Sequence, residues 1–148
     1  MFDSFTKHWR NHLENNVITK TEFTAATFPQ HYRTVAEFSE PFNGDNCLAD
    51  RLGIKLNACF TKLTKCPYRL HYEKNKSTVT PASFASEFVP TTRSWSETVF
   101  RSALRGRSNA EVTEIVESFY QNYETEVAND PDSYSMDYVH IVMDIERV

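Results

Sequence analysis

Apolar residues recur at spacings of three and four over residues 2–15, where Phe2, Phe5, Trp9 and Leu13 share one side of a helical turn. The spacing predicts a helix, or its last turns, ended by Asn15-Asn16. Residues 18–29 read as a turn-rich segment. Thr34 with Glu37 three residues on forms a capping box, in which each side chain takes a backbone N–H that the first turn leaves free. The short helix it opens turns Val35, Phe38 and Phe42 inward, and Asn43-Gly44-Asp45-Asn46 reads as a turn.

The period then changes from helical to two. Residues 54–61 alternate and predict a strand with one buried face, and a slip before Leu63 places a bulge near Thr61-Lys62. Pro67 ends the pairing, and polar residues 73–80 read as an exposed loop. Thr80 before Pro81 caps a short helix, because proline at the first helical position gives up an N–H that has no partner there. A second capping box, Ser94 with Glu97, opens a separate helix that carries Val99, Phe100, Ala103 and Leu104 on one face, with Gly106 as its C′ residue. Ser108 and Glu111 open the clearest helix. Val112, Ile115, Val116, Phe119, Tyr120, Tyr123 and Val127 make one stripe along it, and Asn129-Asp130-Pro131 stops it. Val139, Ile141, Met143 and Ile145 alternate over residues 138–145, with Val142 apolar on the other face, so this strand is covered in part on both sides. The order is helix, helix, strand, three helices, strand, an α/β chain. Two strands make no stable sheet alone. They either pair and lean on the helices or extend a sheet that other residues supply.

Composition adds limits. The 148 residues are 40% apolar and 24% charged, enough for one buried core. No apolar run approaches the roughly 20 residues of a membrane span, and the first residues lack a secretory pattern. Cys47, Cys59 and Cys66 cannot all pair within the chain and read as reduced thiols, so the expected location is cytoplasmic. Residues 51–76 hold seven Lys or Arg against one acid, Glu73, while residues 111–148 hold ten acids against Arg147. The asymmetry is either a nucleic-acid surface or a basic strand region that lies near an acidic helix; overall acidity and the lack of a binding motif favour the second. Three scattered glycines, Gly44, Gly53 and Gly106, leave no loop that can wrap a phosphate or ribose.

Candidate chemistry is sparse. His8 and His12 share a helix face, but two exposed histidines are a commoner outcome than a metal site. Cys59, Cys66 and His71 lack metal-ligand spacing, no nucleophile elbow accompanies the many Ser and Thr, and neither His31 nor His140 has a fixed partner. His140 reads as a core histidine. Arg101 and Arg105, with Arg93 and Arg107 nearby, form either an anion clamp or a solvated helix end.

Several segments, taken in order, resemble one family. Asn16-Val17-Ile18-Thr19-Lys20-Thr21-Glu22 and Phe28-Pro29-Gln30-His31-Tyr32-Arg33-Thr34-Val35-Ala36-Glu37-Phe38 are similar to the Pro-x-Tyr-x-x-x-x-Glu region of S-adenosylmethionine-dependent carboxyl methyltransferases of the SABATH group. Phe100-Arg101-Ser102-Ala103, Ser118-Phe119-Tyr120-Gln121-Asn122-Tyr123 and residues 137–147 resemble later segments of that family. The resemblance implies the C-terminal part of a class I methyltransferase: residues 1–148 as one domain or lobe, with a helical cap over the acceptor pocket and the last, antiparallel strand pair of a Rossmann-like sheet, an incomplete domain. It implies S-adenosylmethionine as cofactor of a longer parent enzyme, held outside this chain, which alone binds none and is inactive. A small-molecule carboxylate is the implied acceptor, with an N-terminal lobe or a second copy as partner and neither nucleic acid nor membrane. Phe100, Ala103 and Tyr138 are the implied acceptor-lining residues; periodicity alone makes Phe100 and Ala103 core-facing. Positions that hold an Asp-x-Phe-Asn run in metal-binding members read Thr24, Ala26 and Thr27 here, so magnesium is not expected. The alternative is a non-catalytic binding or interaction module that uses an exposed sheet edge.

Overall fold

The computed structural model describes residues 1–44 and 47–148, so the turn expected at residues 43–46 lies partly outside the described residues. The chain divides into two compact units. One, Met1–Pro29 with Pro67–Ser135, is helical. The other, Gln30–Cys66 with Met136–Val148, carries the strands.

The helical unit begins with α1 (Phe2–Glu14). Asn16, at φ 58°, takes the left-handed conformation that Asn tolerates better than most residues. It lets the Val17 N–H reach the His12 carbonyl at 2.8 Å and its own N–H reach that of Leu13 at 3.0 Å, satisfying carbonyls the helix end would leave free. The expected turn-rich segment contains a helix, α2 (Lys20–Ala25), opened by a Thr19–Glu22 capping box that the sequence also spells. Pro67, expected only to end a strand, starts α5 (Pro67–Lys74), which takes the first residues of the expected loop.

The two short helices expected between residues 80 and 104 are one, α6 (Pro81–Ala103). Ser94 is no cap: inside the helix its hydroxyl donates to the Thr91 carbonyl at 2.7 Å, and Glu97 is held by Arg93 and Arg101 instead. Pro90 interrupts the backbone ladder without ending the helix. The C-cap is Leu104, and Gly106 does not take the positive φ expected of a C′ glycine. The last helix, α7 (Asn109–Asn129), has the expected Ser108–Glu111 capping box, and every residue of its predicted stripe is buried. It runs back along α6, with Phe100 and Phe119 ring centroids 4.3 Å apart. Phe5 of α1 closes on this pair, 4.9 Å from Tyr123 and 5.8 Å from Phe100. Burial of large rings is the main stabilising term, and each well-placed ring pair adds about 0.5–1.5 kcal/mol.

In the second unit, β1 (Ile54–Thr64) and β2 (Tyr138–Arg147) pair antiparallel. The register slips between Leu56 and Ala58, so the bulge sits at Asn57 and not at Thr61-Lys62. Gly53, at φ +65°, precedes β1, and a Cβ there would lie 2.8 Å from the Val148 carbonyl oxygen. Glycine is required by conformation and by space. Short helices α3 (Val35–Ser39) and α4 (Leu48–Arg51) lie against β1. They cover it thinly. Val35, Phe38 and Phe42 are only half-buried, Phe60, Leu63, Val139 and Ile145 are exposed, and His140, expected in a core, faces solvent. Only Ile141, Val142 and Met143, at the middle of β2, show the partial cover expected on both faces.

Candidate functional site

In the helical unit the residues of α1 that face the core do not close completely on α2. A cavity of about 220 Å³ remains. Phe5, Thr6 and Trp9 of α1 form one wall; Phe23 and Thr24 of α2, with Ala26 and Phe28 after it, form a second; Phe100 of α6 completes it. The wall is mostly aromatic. Phe28 lies 5.6 Å from Phe100 and Trp9 4.9 Å from Phe100, ring centre to ring centre. Thr24 spends its hydroxyl on the Lys20 and Thr21 carbonyls. Trp9 does not: its indole N–H is buried and has no acceptor, an arrangement that costs about 1–3 kcal/mol while it lasts. At the Phe23 side the Arg10 guanidinium carbon lies 5.3 Å from the ring centroid. Space and wall suit an apolar group of one ring or a short branched chain, below the roughly 300–1,000 Å³ of larger ligand pockets.

Of the three residues that the family resemblance assigns to an acceptor, Phe100 lines this cavity. Ala103, one turn further along α6, is buried at 9% exposure outside the cavity wall. Tyr138 belongs to the strand unit, is 46% exposed, and directs its hydroxyl to the Met136 sulfur at 3.3 Å. Phe5 and Trp9 were legible only as a helix stripe. Phe23, Thr24 and Ala26 were hidden in a segment read as turns, although Thr19-x-x-Glu22 marked the helix that positions them.

The other candidates resolve into pairs. His8 and His12 are buried, not exposed. His8 Nε2 lies 2.5 Å from Glu126 Oε2, and the His12 ring nitrogen Nδ1 lies 3.0 Å from the His8 carbonyl. Burial holds His8 below its usual pKa against the pull of Glu126, so its ring is neutral at pH 7. Burial pushes Glu126 up, but hydrogen bonds from Tyr134 and Lys7 and the charges around it outweigh that and bring it to about 2. Tyr134 is pushed up to about 12 by burial and by Glu126. Three of the four arginines that could form an anion clamp are spent on carboxylates: Arg93 reaches Glu97 at 2.5 Å and Glu117 at 2.9 Å, Arg101 holds Glu97, and Arg107 holds Glu22 at 2.6 Å. Basic residues of the 51–76 stretch meet carboxylates that follow the acidic helix α7, not carboxylates on it. Lys55 meets Glu146 at 2.9 Å and Lys65 meets Asp137 at 2.8 Å in the strand unit, and Asp132 receives Arg69 and Lys76 in the helical one. Among the described residues no three of His, Cys, Asp and Glu are grouped to hold a metal ion, and no helix is long and apolar enough to cross a membrane. Compared with known proteins, the chain matches no family model and no curated protein.

Proposed function

We propose that this chain supplies the acceptor-recognising portion of an S-adenosylmethionine-dependent methyltransferase that acts on a small-molecule carboxylate, the cofactor being held by residues outside it. The observation that carries the reading is the aromatic cavity with Phe100 in its wall, since Phe100 is the position the family resemblance assigns to the acceptor. The partition of the chain into a helical unit and an antiparallel strand pair agrees with a cap and the closing strands of a methyltransferase sheet. Methyl transfer would be a direct displacement, in which a carboxylate oxygen takes the methyl group as the sulfur–carbon bond breaks and S-adenosylhomocysteine leaves, so a protein would accelerate it chiefly by holding the two reactants in line. An apolar pocket that orients the acceptor body is the part of that task this chain performs.

Calorimetric titration with a panel of small aromatic and branched carboxylic acids tests the reading. Binding is expected, and Phe100→Ala weakens it about tenfold or more by removing a ring from the wall. A panel of which no member binds overturns it. Micromolar binding of S-adenosylmethionine overturns the division of labour, because a cofactor site would then exist without clustered glycine.

A second reading, a binding module, has one observation in its favour. The sheet has two strands only, so each strand of ten or eleven residues has an unpaired edge among the described residues, beside the exposed Phe60, Leu63 and Val139.

A further inference from the structure

Arg10 differs from most arginines of the helical unit. Arg69, Arg93, Arg101 and Arg107 each meet a carboxylate. Arg10 makes no such pair among the described residues, and its guanidinium instead lies over Phe23, one wall of the aromatic cavity. A ring face attracts the cation but accepts none of its five N–H groups in the guanidinium plane, so those donors stay free for a ligand. The neighbouring residue, Trp9, lines the same cavity and keeps its own buried N–H without an acceptor. An apolar hollow with an exposed, unneutralised guanidinium over one of its wall rings complements a ligand with an apolar body and an anionic, oxygen-bearing end.

We propose that Arg10 reads the carboxylate of the acceptor, with the ligand's ring or branched chain among Phe5, Phe28 and Phe100 and its carboxylate against the Arg10 guanidinium on the Phe23 side. Arg suits the role because its planar fork donates two parallel hydrogen bonds to the two carboxylate oxygens. The assignment rests on the acceptor-pocket reading above, and adds to it the residue that selects charge and the direction in which the ligand lies.

The test compares cinnamate with cinnamamide, which share a shape and differ in charge, by calorimetry on the whole chain. Cinnamate is expected to bind about tenfold or more tightly than the amide at low salt, and the preference shrinks as salt is added. Arg10→Gln brings cinnamate to the affinity of the amide while the amide affinity and the thermal melt hold, and Arg10→Lys restores part of the preference. An acid-to-amide ratio that is near one in the wild type, or that Arg10→Gln leaves unchanged while Phe100→Ala still weakens both ligands, overturns this inference and leaves the acceptor pocket standing. A loss shared equally by both ligands in Arg10→Gln assigns Arg10 to holding Phe23 in place, and also overturns it. If neither ligand binds, and benzoate and benzamide do not either, both readings fail together.

Discussion

Glu22 shows how one side chain serves two levels of structure. One of its oxygens, Oε2, accepts the Thr19 N–H at 2.7 Å and completes the cap of α2, while Arg107 reaches both oxygens from the connection between α6 and α7. The Arg107 hydrogen bonds, opposed by burial and helped by Thr19, hold its carboxyl at about 2. A depressed carboxylate stabilises the fold above its ordinary pKa of 4.5, and that contribution is lost as pH falls toward 2. Gln at this position keeps the shape of a capping box but not the charge. Glu22→Gln is therefore expected to cost on the order of 1–3 kcal/mol at pH 7 in thermal or urea unfolding, and Glu22→Ala more. The Gln variant and the wild type should converge as pH drops below 4. A constant gap across that window would show that Glu22 acts by shape and not by charge.

At the scale of elements, α6 is the case where local signals and outcome part. Pro81 behaves as a first-turn proline, yet Pro90 sits in the interior and removes the N–H that would reach the Ser86 carbonyl. The helix continues because both of its halves are packed: Phe84, Phe88 and Val89 before and just ahead of the proline, and Thr92, Ser96 and Phe100 after it, are all buried. Ser96 also meets the Tyr120 hydroxyl of α7 at 2.7 Å, which ties the second half to its neighbour. Pro90 itself is exposed, so replacing it empties no core space. Pro90→Ala is expected to raise the unfolding midpoint, by about 1–3 kcal/mol, through the restored backbone bond. A lower midpoint would mean that the proline fixes a bend on which the packing depends.

For the molecule as a whole, His8, Glu22 and Glu126 agree in sign. His8 lies below its ordinary value of 6.5 because it is buried, so the unfolded chain takes its proton first and stability declines once pH falls under 6.5. Glu126 and Glu22, both brought to about 2, add a second decline as pH falls through 4.5 and below. Unfolding free energy measured from pH 8 down to pH 3 should therefore fall in two successive windows, with His8→Gln flattening the upper one. A stability maximum near pH 5 would contradict the buried, neutral state of His8.

The sequence by itself determined the elements whose whole pattern lies within a few turns of chain. The stripe of α7 and its capping box, the Thr34–Glu37 cap and the alternation of β2 are local geometry, and side-chain period and hydrogen-bond reach decide them. Phe100 was legible as a core position, since helix phase alone points it inward. Tertiary structure decided the rest. Ser94-x-x-Glu97 spells a helix start as well as Ser108-x-x-Glu111 does, and only the packing of α6 on α7 and the pairing of Glu97 with Arg93 and Arg101 make it mid-helix. His8 and His12 look like solvent-facing residues until Glu126, more than a hundred positions away, arrives beside His8. His140 has the reverse history, exposed on an apolar strand that is only thinly covered. The cavity depends on how far α2 stands from α1 and α6, a distance set by side chains from three separate segments. Local pattern encodes which way a residue points; what it meets there is settled by distant chain, because burial, ion pairing and empty space belong to pairs of surfaces and not to either one.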